Sequence, residues 1–307
     1  MNALLPALHA RARAAVHRTT RTHCRCPAPD TVLADREDAT VVRHGDTVAK
    51  AHAAAADPAR LSLRLTAAAR LPGILLAPLR PAPVDLHGRP VTFWPYGTPV
   101  DPDTPEAAPW EAAASLLARL HRFPVPAGLP PMGGPAKAAR AIRRLRAVGP
   151  RPAAEPVLRA WAALPPWARA ESPVPSARTL CHGDLHLGQL VRHPVDTGPW
   201  LLIDVDDLGV GGPAWDLARP AAWYACGLLP PDVWARFLSA YRQEGGPAVP
   251  ASGDPWSALD VPARALTVQT AALAIAKSVA AKRPLDEVER AVVDACARMS
   301  TISPELS

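Results

Sequence analysis

No acidic residue occurs in the first 29 positions of this 307-residue chain, lysine is scarce, and no apolar run is long. Each shortage excludes something. Nothing approaches 18 consecutive apolar residues, which excludes an obvious membrane-spanning helix. The longest candidate, residues 271–281, is broken by Lys277. Cysteines number five, odd and scattered (Cys24, Cys26, Cys181, Cys226, Cys296), so a disulfide framework is excluded and reduced, cytoplasmic thiols are expected. The 34 basic residues include four lysines, Lys50, Lys137, Lys277 and Lys282. Arginine is the default cation, and a lysine at a special place needs more explanation than usual.

Hydrophobic residues make up 49% and charged residues 20%, which argues against a wholly disordered chain. The length predicts about two domains or lobes. A net charge of +6 is compatible with nucleotides, nucleic acid or anionic lipid and does not choose among them. No basic stripe interleaved with aromatics is present, so neither a nucleic-acid nor a membrane partner is expected. Leu4, Leu5, Leu8, Ala12 and Val16 fall near helical spacing in an Arg-rich segment of transit-peptide-like composition. A solvated or loosely docked helix is the expectation there. His17, His23, Cys24 and Cys26 match no standard zinc spacing.

Further on, Thr40–Arg43 and Thr47–Lys50 read as strands joined by a turn at His44-Gly45-Asp46. Residues 57–71 read as a helix capped by Asp57, with Pro58 at its first position. Residues 91–94 form another strand. Helices are expected over 105–121 (capped by Thr104), 136–147, 155–170, 231–243, 261–281 and 285–299. The last carries a stripe of Leu285, Val288, Val292, Cys296 and Met299. Strands come first and helices after, so the fold class is α+β. The expected division is a basic extension (1–30), a strand-rich lobe (31–97) and a helical lobe (98–307).

The chemistry lies in Cys181-His182-Gly183-Asp184-Leu185-His186-Leu187-Gly188-Gln189-Leu190 and in Leu201-Leu202-Ile203-Asp204-Val205-Asp206-Asp207. Leu190-Val191 and Leu201–Ile203 can pair as a hairpin, which brings Gln189 and Asp204 to one end of it, near Asp184. Two carboxylates and an amide oxygen are hard ligands that suit Mg2+. Protein kinases use the same order: an Asp for the substrate hydroxyl, an amide five residues later, and a metal-binding Asp after the next strand.

At these residues the chain resembles the aminoglycoside phosphotransferase / choline kinase-like family of small-molecule kinases. The His182-Gly183-Asp184-Leu185-His186 core, Ile203-Asp204 and the run Gly212-Pro213-Ala214-Trp215-Asp216-Leu217-Ala218 carry the resemblance, with the helix end Leu117–His121. It implies a two-lobed protein-kinase-like fold with a small antiparallel-sheet lobe, ATP in the cleft, and Mg2+. It also implies Asp184 as catalytic base, Gln189 and Asp204 on the metal, and Lys50 on the α/β-phosphates. Trp94-Pro95-Tyr96-Gly97 would present backbone groups to adenine, and Asp216 would support the catalytic loop. His182 is expected to be structural; His186 faces substrate or only lines the loop. Asp206 and Asp207 are a solvated pair or a metal- or substrate-binding one.

Three departures accompany the resemblance. The family mostly has Asn where Gln189 stands, although maltokinases carry a similar His-Gly-Asp-Leu-His-Leu-Gly-Gln run. Residues 53–72 contain no Glu to pair with Lys50, so Asp57, an acid among Asp35, Glu37 and Asp38, or no residue at all would hold it. No Gly-rich phosphate loop precedes Lys50. The expected activity is transfer of the γ-phosphate of ATP to a hydroxyl of a small polar molecule, with an aminoglycoside or amino sugar favoured. A maltokinase-type sugar kinase and a weakly catalytic pseudokinase-like module are the alternatives.

Overall fold

A computed structural model describes residues 4–17, 30–36, 38–175 and 178–299. His23, Cys24, Cys26 and Glu37 lie outside the described residues, as does the side chain of His17. In chain order the elements are α1 (Leu4–His17), β1 (Asp30–Asp35), β2 (Ala39–His44), β3 (Thr47–His52), α2 (Pro58–Ala69), β4 (Val84–Leu86), β5 (Arg89–Pro95) and β6 (Thr98–Pro99). Then follow α3 (Trp110–His121), α4 (Gly134–Ala147), α5 (Ala154–Ala162), β7 (Thr179–Cys181), β8 (Leu190–Arg192), β9 (Trp200–Leu202) and β10 (Gly209–Gly211). Among the described residues four helices come last: α6 (Ala214–Ala225), α7 (Pro231–Gln243), α8 (Trp256–Ala280) and α9 (Glu287–Met299).

The described residues form two compact units. The first comprises Met1–Pro109, Pro126–Pro130 and Leu187–Asp206; the second comprises Trp110–Val125, Pro131–His186 and Asp207–Ser307. The sequence division at residue 97 therefore moves. The chain stays with the first unit to Pro109, and the β8–β9 hairpin with Asp204 rejoins it because β8 pairs with β6.

The first unit holds an antiparallel sheet of order β1-β2-β3-β5-β4. Gly45 (φ +55°) and Asp46 turn β2 into β3, with His44 opposite Thr47. Alternation along β3 sorts its side chains by face. Ala49 and Ala51 join Val42, Val91 and Phe93 in a core that Leu4, Leu8 and Ala12 of α1 cover. The N-terminal helix is thus a docked layer of the sheet rather than a solvated extension. Val48, Lys50 and His52 occupy the other face, with Trp94 and Thr92 opposite Val48 and Lys50. A second, three-stranded sheet runs β6-β8-β9, and Leu202 bonds with both Ile74 and Leu76.

The second unit is helical, with the two-stranded β7–β10 ribbon among its helices. α8 packs against α4, α5, α6 and α9. It starts at Trp256, earlier than the expected 261, and its buried residues run from Leu259 to Ser278. Several expected helices change bounds. Residues 105–107 form a separate 3₁₀ turn, Thr104 makes no capping bond, and α3 begins only after Pro109. α5 stops at Ala162, short of Pro165-Pro166, where ring geometry disfavours a continuing helix. α9 buries Val292, Val293, Ala295 and Cys296, whereas Val288 is 57% exposed. It packs on both α5 and α8, so its apolar face is broader than the expected stripe. α6 was not expected, and Pro220 within it masks its helical pattern.

Candidate active-site residues

In the first unit, Lys50 at the middle of β3 meets residues that follow β9. Its Nζ lies 2.7 Å from Asp204 Oδ1 and 3.0 Å from Asp206 Oδ2. The expected partners are occupied elsewhere: Asp57 caps α2 through the Ala59 and Arg60 amides, and Asp35 accepts from Thr40. The acid that the following helix lacks is supplied by the segment after β9. Burial opposes the Lys50 ammonium, but Asp204 and Asp206 outweigh it and hold its pKa above the ordinary lysine value. Burial likewise opposes both carboxylates, and Lys50 keeps both below the usual range, with His52 adding to the effect on Asp206.

Asp204 sits at φ +65°, a left-handed conformation that Asp tolerates better than most residues. Its own side chain supports the bend by accepting from the Asp206 amide at 3.2 Å. Buried Gln189 places Nε2 3.4 Å from Asp204 Oδ2, while its backbone carbonyl accepts from Ile203. The Asp204 and Asp206 carboxylates are hard oxygen donors that fit Mg2+ chemically, whereas Gln189 turns its amide nitrogen toward Asp204 and would need to rotate its amide to add its oxygen. The Trp94-Pro95-Tyr96 segment follows from the strand and its neighbours. The Tyr96 N–H donates to Asp46 O and its carbonyl accepts from His193 Nδ1. The Tyr96 backbone therefore offers a further ligand the second lone pair of that carbonyl. Trp94 donates its indole N–H to Thr92.

In the second unit, Asp184 carries two cations. Lys137 Nζ from α4 is 2.5 Å from its Oδ2, and Arg219 Nη2 from α6 is 2.8 Å from its Oδ1. Lys137 also reaches Asp207 Oδ2 at 2.7 Å, and Arg219 Nε donates to the Leu185 carbonyl. Burial raises the Asp184 pKa, but Lys137 and Arg219 together bring it below the usual carboxylate value. Burial, then Arg219, lowers His186 to about 4, so its imidazole is neutral at pH 7. Gly183 has φ +85°, and a Cβ there would lie 2.4 Å from the Asp207 carbonyl oxygen, so only glycine fits between Asp184 and Asp207.

A buried brace sits behind this loop. Asp216 accepts from the His182 and Gly183 amides at 2.6 and 2.7 Å, and its Oδ2 is 2.9 Å from His121 Nε2. Tyr241 Oη accepts from the Ala248 amide, which leaves its proton available to His121 Nδ1 at 2.7 Å. The Asp216 carboxylate only accepts, so the His121 Nε2 facing it is the donor of that pair. Cys181 is buried, and desolvation with the nearby Asp216 charge raises its thiol well above the ordinary value, which disfavours the thiolate.

Sequence reasoning missed Lys137, Arg219 and His52. Lys137 carried one signal, its rarity in an Arg-rich chain. Arg219 and His52 carried none, because their roles depend on which helix or strand faces them.

The phosphotransferase enzyme family model matches residues 30–256. Among curated proteins, none matches the chain. Solved structures share its fold. A choline/ethanolamine kinase family protein from Mesorhizobium loti aligns at 20% identity and TM-score 0.56, over 96% of this chain and 95% of that one. A spectinomycin phosphotransferase in complex with ADP and spectinomycin aligns at 12% identity and TM-score 0.58, over 88% and 92%. An aminoglycoside phosphotransferase in ternary complex with AMP-PNP and hygromycin B aligns at 15% identity and TM-score 0.57, over 90% and 95%. A strand lysine held by the acids that follow a hairpin, a braced His-Gly-Asp loop and a family match over most of the length agree: the chain belongs to the phosphotransferase enzyme family and is a small-molecule kinase of α+β, kinase-like fold.

Proposed function

We propose that the protein transfers the γ-phosphate of ATP to a hydroxyl of a small polar molecule, with Mg2+ as cofactor. The observation that carries this reading is the bonding of Lys50 to Asp204 and Asp206, a cation on a strand joined to the acids of a hard-oxygen donor set. The ADP and AMP-PNP complexes of the relatives support ATP as donor. Lys50 steadies the α/β-phosphates. Asp204 and Gln189, with Asp206 beside them, would hold the magnesium, which neutralises phosphate charge when bound. Asp184 orients the acceptor hydroxyl. Its lowered pKa makes it a positioning carboxylate more than a strong base, in keeping with a reaction governed by positioning and charge stabilisation. His182 and Asp216 hold the loop that carries it.

The spectinomycin and hygromycin B bound by relatives support an aminoglycoside or amino sugar as the first acceptor class. A neutral sugar is the second reading, and Lys137 and Arg219 favour it, because two cations beside Asp184 disfavour an ammonium near the reacting hydroxyl. The pseudokinase alternative rested partly on a lysine without an acid, and Lys50 has two. A cytoplasmic setting accords with the free thiols of Cys181, Cys226 and Cys296. The test is Mg2+-dependent ADP release over amino sugars, aminoglycosides, choline, maltose and homoserine. Acceptor-stimulated release that disappears in Asp184→Asn supports the reading. Retained turnover in Asp184→Asn refutes the role of Asp184.

A further inference from the structure

The polar face of the first unit's sheet carries a chain of contacts of which the kinase reading uses only the Lys50 end. Trp94, Thr92 and His52 are 8%, 1% and 2% exposed. The Trp94 indole N–H donates to Thr92 Oγ1 at 2.9 Å, and Thr92 Oγ1 lies 2.9 Å from His52 Nε2. On its other side, His52 Nδ1 stands 2.9 Å from Asp206 Oδ1. Asp206 Oδ2 is 3.0 Å from Lys50 Nζ. Strand geometry sets this up: Lys50 and His52 are two residues apart on β3, and Thr92 is the cross-strand partner of Lys50. Arg89 fixes the strand end by donating to the Ala51 and His52 carbonyls.

The chain has a direction. An indole nitrogen can only donate, so Thr92 Oγ1 accepts from Trp94 and its own proton is available to His52 Nε2. With Thr92 donating, the ring proton of a neutral His52 lies on Nδ1, on the side of Asp206. The imidazole stands 2.9 Å from one oxygen of the Asp206 carboxylate, outside good hydrogen-bond alignment, and the other oxygen faces Lys50.

We propose that His52, backed by Thr92 and Trp94, is a positioning residue that aims Asp206 at Lys50 and so replaces the helix acid that residues 53–72 lack. The inference rests on the nucleotide-binding reading of Lys50. It makes the Lys50 partner a residue of the post-β9 segment, held from behind by the sheet itself. It also assigns the Trp94 side chain to this relay, whatever its backbone offers to a nucleotide.

The test measures binding of ATP and Mg·ATP by calorimetry to the full chain and to His52→Leu, His52→Asn and Thr92→Val, with a melting curve for each. A bond to a charged group predicts weakening of about tenfold in His52→Leu. His52→Asn places an amide N–H near the former Nδ1 and should recover most of the loss. Thr92→Val, which keeps the shape and removes the hydroxyl, should weaken binding by a few-fold and serves if His52→Leu does not fold. Long-range 1H–15N NMR should show the His52 proton on Nδ1. Unchanged affinity in both His52→Leu and Thr92→Val, no recovery in His52→Asn, or a proton on Nε2 overturns the inference while ATP binding by the unaltered protein still stands. Absence of ATP binding by the unaltered protein overturns the nucleotide reading first and this inference with it.

Discussion

Asp184 is a carboxylate shared by two cations, and its behaviour with pH follows from them. Lys137 and Arg219 depress its pKa, so its contribution to stability is complete above 3.8, the unperturbed carboxylate value, and is lost as pH falls through the lower folded value. Replacing Lys137 by Met leaves burial opposed by Arg219 and, more weakly, by His186. The acid limb of the pH–rate profile should then move to higher pH. His186 behaves in the opposite sense to a paired histidine. Its pKa falls from 6.5 to about 4, so the unfolded chain binds the proton more readily and stability declines as pH drops from 6.5 towards 4. In His186→Gln that part of the slope should disappear from melting temperatures recorded across this window. Asp184→Asn keeps the shape of the loop and should lower turnover by about a hundredfold or more with nucleotide affinity retained. The meeting of Gln189 and Asp204 was legible because the hairpin that joins them is local. Lys137 was not, since it is 47 residues from Asp184 and only the fold of the second unit brings it there.

Caps and turns are the elements that local sequence dictates best. Asp57-Pro58 starts α2 as expected, and Asp57→Ala should cost about 1 kcal/mol, read as a lowered melting temperature. The β2–β3 turn and the β8–β9 hairpin also follow from short-range patterning. Elements whose sides are decided by neighbours were harder to read. α9 shows one apolar stripe in sequence but serves two helices, and α6 hides behind Pro220. The brace from α3 to α6 and α7 is an inter-element device of this kind. Tyr241→Phe would strip the Ala248 amide and His121 Nδ1 of a buried partner, at about 1 to 3 kcal/mol. Denaturant unfolding measures that loss. A variant as stable as the parent would show that the brace contributes nothing net.

Across the whole molecule, chemistry and packing divide between faces and units. In the first unit, α1 covers one face of the sheet while Lys50 and His52 occupy the other. Leu8 is fully buried, so Leu8→Ala should cost about 2 to 5 kcal/mol without altering the polar face. If that variant melts like the parent, the helix is not part of the unit's core. The basic, acid-poor composition that resembled a transit peptide was read without knowing that Leu4, Leu8 and Ala12 have a sheet to cover. Periodicity reports that a helix has an apolar face and is silent on what that face meets.

By itself the sequence determined the α+β class, the hairpin that delivers Asp204, the His-Gly-Asp loop and the lysine strand, because each depends on neighbours within some twenty residues or on side-chain alternation. Only the tertiary structure decided the partners of Lys50, the two cations on Asp184, the neighbours of His121 and His52, and the place of α1. Those rest on contacts between segments from about 30 to more than 150 residues apart, such as Lys50 with Asp204. No local pattern encodes such a pairing, which exists only once the strands and helices that carry it have packed.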